Sequence, residues 1–363
     1  MILQTLLLYI LLTVLLYIAA KQSFQRNTFV FVAAAVFCYA VIFGLRSGVG
    51  VDFWGYKGWY NDAMMGINTY DHVEPGFKFL LNASVALRLP FSFFLFLIAF
   101  LQLILVFAAL SKFKSVYEAL AITFMLGCVW LTYANGLRQQ LAFCIFAYSL
   151  QFVADRKLFK YFICVVLASL FHTSAVILVL IYPLFAFKED YFKRIWVQFG
   201  LLTAALVISQ YSLASDAMHS LEGFGKLLGY DVYFKEEFEL TEKVRIGLGF
   251  YINLLIDIVL VFTSTKVKKF YNNRYVMILY SLFFIGVLWY YVFLDSLLLQ
   301  RINYYFIGFK YIYAAFAINA LMKSRDLKYL VICLLYFAVF VATMYRMEDN
   351  TALFIFNWQN SPL

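Results

Sequence analysis

The chain has 363 residues, of which 65% are hydrophobic and only 13% are charged, and its mean hydropathy is +0.83. Soluble domains are about 45–50% apolar and about 25% charged, so this composition excludes a soluble protein and indicates a polytopic membrane protein. The net charge of +9 does not indicate a nucleic-acid partner, because a basic excess in a membrane protein usually reflects the loop charges that fix topology.

Apolar runs recur along the whole chain and predict about twelve crossings, at roughly 20 residues per span. They lie near residues 3–20, 28–45, 91–110, 116–134, 137–154, 160–171, 173–187, 195–212, 246–263, 275–294, 302–322 and 328–346. Continuous runs exclude a β-barrel, whose strands alternate in polarity. The predicted fold class is an all-α polytopic membrane protein, with residues 1–363 in a single integral membrane domain. The runs 160–171 and 173–187 meet at His172, as a helical hairpin or as one broken helix.

The stretch from Gly44 to Gly76 interrupts the apolar runs with charged residues, glycines and aromatics, as GLRSGVGVDFWGYKGWYNDAMMGINTYDHVEPG. Loops longer than about 12–15 residues are usually functional, and aromatic side chains suit a membrane interface or a sugar-stacking surface. The next segment, 77–89, is too short and too polar to span. It predicts an interfacial or re-entrant helix on the same side as this loop.

Basic residues set the predicted orientation. The short loops 21–27, 111–115, 155–160, 188–194, 264–274 and 323–328 carry most of the lysines and arginines, so they are predicted to be cytoplasmic. The long loops 46–76 and 213–245 and both termini then lie outside, which makes the outer face the functional one. Loop 213–245 is polar enough to form a lid, although a solvated loop is an equally good interpretation.

Three arginines, Arg46, Arg138 and Arg301, lie on the outer side, which the positive-inside rule disfavours for basic residues. A guanidinium is a planar fork of donors that binds phosphate and diphosphate in a bidentate way. A single arginine at a helix end is more often a snorkelling anchor. Three arginines with polar neighbours favour a site for a diphosphate-linked lipid; these neighbours are Asp52, Asn135, Gln139, Gln140, Asn303 and Tyr304.

Candidate proton acceptors on the same side are Asp52, Glu74 and His172, and the residues alone do not rank them. Asp257 and Lys310 lie inside spans, either as a buried pair or with one of them lining a cavity. We find no nucleotide-binding loop and no HExxH, and the five cysteines have no CxxC spacing. The sequence therefore predicts no cofactor and no metal site, and the cysteines are interpreted as small hydrophobic residues.

With these residues identified, the chain resembles the EpsG family and related Wzy-type polysaccharide polymerases. The matching pieces are GLRSGVGVDFWGYKGWY at 44–60, EPGFKFL at 74–80, NGLRQQLAFCIFAYSL at 135–150, LASLFHTSAVILVLIYPL at 167–184 and RINYYF at 301–306. The pair of RQxxA followed about thirty residues later by FHxSA is the most specific of them. The region 195–300 carries little recognisable motif, so the resemblance does not support a role for loop 213–245.

The resemblance implies a GT-C-like membrane fold and polymerisation of lipid-linked repeat units in capsule, O-antigen or exopolysaccharide assembly. The implied partner is an undecaprenyl-diphosphate-linked oligosaccharide in the bacterial cytoplasmic membrane, alongside membrane lipid and a chain-length regulator and flippase of the same pathway. Arg138 and Arg301 would bind the diphosphate with help from Arg46, and Asp52 or His172 would be the base. The implied substrate-binding residues are Trp54, Tyr56 and Trp59 for stacking on sugars, with Glu74, Gln139, Asn303 and Tyr304.

Two other functions stay open at this point. A transporter or flippase of the same lipid-linked sugars needs polar residues through the full membrane depth, whereas here they collect in the outer half. A ligase or membrane acyltransferase with a similar lipid donor would use a histidine near the donor with an acidic partner.

Overall fold

The computed structural model describes residues 1–211, 246–294, 296–348 and 351–360. The described chain is almost entirely helical, which confirms the predicted all-α fold class. The predicted outer loop 213–245 lies outside the described residues.

The first half of the chain begins with two helices that are followed by a short strand. The elements are α1 (Ile2–Gln25), α2 (Val30–Gly44), β1 (Arg46–Ser47), α3 (Phe53–Met64), α4 (Pro75–Ala86), α5 (Phe91–Ala109), a 3₁₀ helix (Ser111–Val116), α6 (Tyr117–Leu126), α7 (Val129–Asn135), α8 (Leu137–Ala154) and α9 (Leu158–Ser169).

The second half continues with a 3₁₀ helix and further α-helices, and it ends in a second short strand. The elements are a 3₁₀ helix (Thr173–Leu180), α10 (Ile181–Phe187), α11 (Ile195–Ile208), a 3₁₀ helix (Ser209–Tyr211), α12 (Leu248–Tyr271), α13 (Arg274–Val292), α14 (Leu297–Ile307), α15 (Phe309–Lys323), α16 (Lys328–Tyr345), β2 (Ile355–Phe356) and a 3₁₀ helix (Asn357–Asn360).

Six helical stretches of the described chain are long and apolar enough to cross a membrane, or seven if one bent pair counts as a single span. Four further apolar helices have 10–17 residues. The predicted number of about twelve crossings is therefore not confirmed. Several apolar runs form helices shorter than a straight span needs, such as α2 with 15 residues and α11 with 14. The helices on either side of residues 127–128 are bent by 65°.

The break predicted near His172 is present. Helix α9 ends at Ser169, and a 3₁₀ helix starts at Thr173 and leads into α10. The backbone N–H groups of Phe171 and His172 both donate to the carbonyl of Ala168, at 3.0 Å. The segment 77–89, predicted as an interfacial or re-entrant helix, lies largely in α4, which runs from Pro75 to Ala86.

The chain divides into two compact units, and the first contains residues 1–152, 157–179 and 336–363. In this unit α2 packs on α5, and α1 packs on α2 and α6. Gly44 permits the contact of α2 with α5, since a Cβ there would lie 2.7 Å from the carbonyl oxygen of Ser92. Strands β1 and β2 pair antiparallel, with Arg46 opposite Phe356 and Ser47 opposite Ile355.

The second unit contains residues 153–156 and 180–335, where α12 packs on α15 and α13 packs on α11 and α14. Inside it, Asp257 and Lys310 form an ion pair of 2.8 Å, with side-chain exposures of 2% and 13%. Tyr291 donates a hydrogen bond of 2.8 Å to the same carboxylate. The buried-pair interpretation of these two residues is confirmed.

Candidate functional site

An aromatic and aliphatic core in the first unit fixes the segment between α3 and α4. Tyr56 and Tyr60 of α3 pack with Phe77 of α4, Phe94 of α5 and Leu137 at the start of α8. Because these helices share one core, the residues at the beginning of α4 and of α8 are brought close together. Glu74 lies at the first of these positions and Arg138 at the second.

The sequence Glu74-Pro75-Gly76 starts α4 and also docks it onto the break after α9. Proline suits the first helical position because its backbone angle is preset and its missing N–H would have no partner there. The N–H of Gly76 donates to the carbonyl of Leu170 at 2.8 Å, and a Cβ on Gly76 would lie 2.8 Å from that same oxygen. Only glycine permits this approach without displacing the backbone, so Gly76 sets the distance between Glu74 and residues 170–173.

The Glu74 carboxylate accepts three hydrogen bonds and is 9% exposed. Arg138 Nη1 donates to Oε2 at 2.5 Å, His172 Nδ1 lies 2.8 Å from Oε1, and the Thr173 N–H donates to Oε1 at 3.2 Å. We call Glu74, Arg138 and His172 the carboxylate cluster. It unites three residues that the sequence analysis considered in separate roles.

The environment keeps Glu74 ionised. Burial alone would raise the pKa of this carboxyl, but the hydrogen bond with His172 and the positive charge of Arg138 outweigh burial and lower the pKa to about 2. An ionised carboxylate can only accept hydrogen bonds, so Nδ1 of His172 must be the donor. In a neutral imidazole the other nitrogen, Nε2, then carries the lone pair.

The Arg138 side chain contacts the Glu74 carboxylate and faces the ring of Trp59. Its guanidinium carbon lies 5.4 Å from the ring centroid of Trp59, and its side chain remains 24% exposed. Tyr56, buried beside it, interacts with the same guanidinium. Burial raises the pKa of the Tyr56 hydroxyl to about 12, and the nearby Arg138 charge limits the rise. The tyrosine therefore stays neutral, and Arg138 retains an exposed edge.

Arg46 makes a second set of contacts, at the end of α7 just before Arg138 in the sequence. Arg46 is 2% exposed, and it donates from Nη1 to the Phe43 carbonyl at 2.8 Å and from Nη2 to the Ala134 carbonyl at 3.3 Å. These carbonyls lie in the last turns of α2 and α7, where carbonyl groups lack intrahelical partners. The described contacts of Arg46 thus tie two helix ends together. Its predicted contact with a diphosphate is not tested by them.

Residues 48–52 pack on the end of α7 through two contacts. Gly50 has a φ of +93°, which favours glycine, and a Cβ there would lie 3.0 Å from the Ala134 carbonyl oxygen. The N–H of Asp52 donates to Asn135 Oδ1 at 2.9 Å. Asp52 is exposed and precedes α3, so its carboxylate stays accessible near the surface.

The predicted sugar-stacking aromatics occupy different environments. Trp54 is 57% exposed, and the Lys57 ammonium lies 5.2 Å from its ring centroid. Trp59 is half-buried, with its ring facing Arg138 and 5.5 Å from the ring of His72. Tyr56 belongs to the buried core. Trp54 is therefore the most accessible stacking surface of the three, and Trp59 borders the carboxylate cluster.

The remaining predicted site residues have separate surroundings. Gln139 is 8% exposed in the first unit, while Arg301, Asn303 and Tyr304 lie on α14 of the second unit. Asn303 is fully buried, and its Nδ2 donates to the Gly286 carbonyl at 3.0 Å and to Gln300 Oε1 at 3.2 Å. Arg301 is half-buried, and Tyr304 is 37% exposed. That Arg301 acts with Arg138 on one diphosphate stays a prediction.

The carboxylate cluster combines the groups that acid–base chemistry on an anionic substrate needs. It holds an imidazole oriented by a carboxylate, as in enzymes that use a histidine base, and a partly exposed guanidinium suited to phosphate oxygens. Sequence reasoning named all three residues but missed that Glu74 joins the other two. The available signal was the glutamate directly before Pro-Gly at a helix start.

The model of the EpsG family matches residues 28–360, a range that includes the carboxylate cluster and Arg301. A search of curated proteins and a search of solved structures give no significant match.

Proposed function

The chain belongs to the EpsG family, a family of Wzy-type polysaccharide polymerase-like membrane proteins, and we propose that it polymerises undecaprenyl-diphosphate-linked oligosaccharide repeat units. The reaction would take place on the outer face of the bacterial cytoplasmic membrane, and it would supply capsule, O-antigen or exopolysaccharide. The donor is a growing glycan on undecaprenyl diphosphate, and the acceptor is one lipid-linked repeat unit.

The proposed step is a glycosyl transfer. An acceptor hydroxyl oxygen attacks the anomeric carbon of the donor glycan and forms the new glycosidic bond. The bond between that carbon and the diphosphate oxygen breaks, and its electron pair leaves with undecaprenyl diphosphate. The hydroxyl proton passes to the Nε2 atom of His172, which holds the lone pair when Glu74 accepts from Nδ1.

Arginines supply the charge that the leaving group needs. Arg138, with its exposed edge beside the carboxylate cluster, would bind the diphosphate together with Arg301 and stabilise the charge that develops on it. The step therefore requires no metal ion. Trp54 and Trp59 would stack on the sugars, and Asp52 is the alternative base because its carboxylate lies exposed at the start of α3.

The observation that carries this proposal is the carboxylate cluster in a chain of this family. Glu74 fixes the tautomer of His172 and the position of Arg138 at the same time. With Nδ1 as the donor, a neutral His172 presents the lone pair of Nε2 to an incoming proton.

The test is polymer formation in a bacterial strain deleted for the gene of this protein. The strain carries wild type, His172→Ala, Arg138→Ala or the control Gly58→Ala, which changes an open position of α3, and each protein is checked for membrane abundance. We expect a glycan ladder from wild type and control, with single repeat units accumulating on lipid in the other two variants. A chelator added to a membrane assay should leave wild-type polymerisation intact.

Other results would refute the proposal. A wild type that changes only the leaflet in which the lipid-linked unit lies would point to a flippase. A wild type that moves glycan to another acceptor without extending it would point to a ligase. Normal ladders from both His172→Ala and Arg138→Ala would show that the carboxylate cluster takes no part in the reaction.

A further inference from the structure

The loop between α10 and α11 of the second unit, residues 188–194, lines an open cavity of about 280 Å³. Lys188, Lys193 and Arg194 line this cavity. The volume is many times the roughly 10–15 Å³ that a cavity needs to hold one water molecule, so it has room for a phosphate group with its ester oxygens. The cavity lies on a loop that the distribution of basic residues predicts to be cytoplasmic.

The acidic residue of the cavity wall is already neutralised. Asp190 pairs with Lys268, whose Nζ lies 3.0 Å from Oδ2 and 3.1 Å from Oδ1, and Lys268 is only 8% exposed. The negative charge of Asp190 is therefore neutralised by the buried ammonium of Lys268. The loop keeps three cationic side chains against one other carboxylate, that of Glu189.

The loop is held by side chains from the surrounding helices. Arg274 Nη2 donates to the carbonyls of Phe185 and Ala186 at 2.6 and 2.9 Å. The Phe192 carbonyl accepts from Lys268 Nζ at 2.5 Å and from the buried Gln198 amide at 2.8 Å. Such preorganisation reduces the entropy lost when a ligand binds. It distinguishes this loop from basic residues that only fix topology.

Exposed apolar side chains flank the basic loop in sequence. Phe187 is 90% exposed and Trp196 is 83% exposed, one on each side of the basic loop, and Val197 of the cavity wall is 52% exposed. In a membrane protein such side chains lie at the interface between headgroups and acyl chains. A ligand here would present an anionic group to the loop and hydrocarbon to these flanking side chains.

From these four observations we propose that residues 188–194 form a binding site for the phosphate headgroup of an anionic phospholipid. The phosphate diester lies against Lys193 and Arg194, and the acyl chains run past Trp196. Basic pockets on the cytoplasmic side of membrane proteins bind anionic headgroups in this way. The site is separate in sequence from the carboxylate cluster and does not depend on the polymerase proposal.

The test uses the full-length protein in nanodiscs of phosphatidylethanolamine mixed with phosphatidylglycerol, with retained lipids measured by native mass spectrometry. Lys193→Ala with Arg194→Ala should lower the affinity for phosphatidylglycerol by about fivefold per residue removed, since a basic residue contributes roughly 1 kcal/mol near an anionic surface. The control is Lys157→Ala with Lys160→Ala, which removes the same charge from another basic loop and should lower the affinity less, because it leaves the cavity intact.

A variant that is expected to increase lipid retention controls for a folding defect. Glu189→Gln removes the remaining carboxylate and should raise phosphatidylglycerol retention, which a misfolded protein would not do. Equal retention by wild type and by the Lys193/Arg194 double variant would overturn the proposal. So would inorganic phosphate that displaces phosphatidylglycerol and binds equally well in nanodiscs of phosphatidylethanolamine alone, because the loop would then be a site for soluble phosphate.

Discussion

Replacing Glu74 by glutamine removes the charge of the carboxylate cluster while keeping the side-chain shape. The carboxylate accepts from Arg138, His172 and Thr173, whereas an amide has one acceptor oxygen and an NH₂ group that would face donors. At least one of the partners then loses its acceptor. Nδ1 of His172 no longer has to be the donor, so Nε2 no longer has to carry the lone pair.

The size of the effect follows from the contacts and the pKa of Glu74. The fall from the ordinary value of 4.5 to about 2 corresponds to about 3 kcal/mol at 1.36 kcal/mol per pKa unit. Glu74→Gln should lose about this much stability, because the glutamate is almost fully buried. The polymerisation rate should fall by about 10²–10⁴-fold, the range for loss of a positioned proton acceptor.

The assay measures incorporation of lipid-linked repeat units by purified protein in liposomes, at matched amounts of folded protein. Asp71→Asn is the control, because it removes an exposed carboxylate of the same segment, which pairs with Lys78 at 2.9 Å. The double variant Glu74→Gln with His172→Ala should lose less activity than the product of the two single losses, since both substitutions act on one imidazole. Wild-type rates from Glu74→Gln, or rate losses that multiply in the double variant, would refute this reasoning.

Three further predictions concern stability and packing. Gly76→Ala should lower folded yield and activity, because its Cβ would lie 2.8 Å from a backbone oxygen, while Gly55→Ala, at an open helical position, should be neutral; equal yields in membranes would contradict this. The folded pKa of Glu74 is depressed, so its stabilisation is complete above pH 4.5 and is lost as the pH falls towards 2; thermal melting should show acid destabilisation in wild type that is smaller in Glu74→Gln. Asp257→Asn should cost about 3–5 kcal/mol by leaving Lys310 buried without its anion; an unchanged melting temperature would show that the pair is dispensable.

Composition and apolar runs were sufficient to predict an all-α polytopic membrane fold, because hydrocarbon demands long apolar helices whatever their packing. Composition and apolar runs did not determine how many helices are long enough to cross the membrane. The apolar runs 28–45 and 195–212 have the composition of a crossing, whereas the helices that form in them, α2 and α11, have 15 and 14 residues, fewer than a straight span needs. Bends such as that between α6 and α7 depend on tertiary contacts of residues like Gly127, whose Cβ would lie 2.8 Å from the Tyr336 ring.

The members of the candidate site were predictable one by one, whereas their contacts were not. Glu74 lies 64 residues from Arg138 and 98 from His172 in sequence, so no local pattern records that it joins them. Arg46 is a second example. Its position at a helix end predicted a contact with a diphosphate, and the sequence did not indicate that its guanidinium donates to the carbonyls of Phe43 and Ala134 at the ends of α2 and α7.

The pairing of β1 with β2 has a consequence for biosynthesis. The first unit is assembled from residues 1–152, 157–179 and 336–363, so most of the second unit is translated between its parts. The Tyr9 hydroxyl donates to the Ala352 carbonyl at 2.7 Å, and the Gly50 N–H donates to the Thr351 carbonyl at 3.2 Å. The contacts of the segment that carries Asp52 are therefore complete only after the last part of the described chain has been translated. If a ribosome stalled after α15, the membrane-inserted chain would contain β1 and Gly50 without β2 and Thr351, their partners.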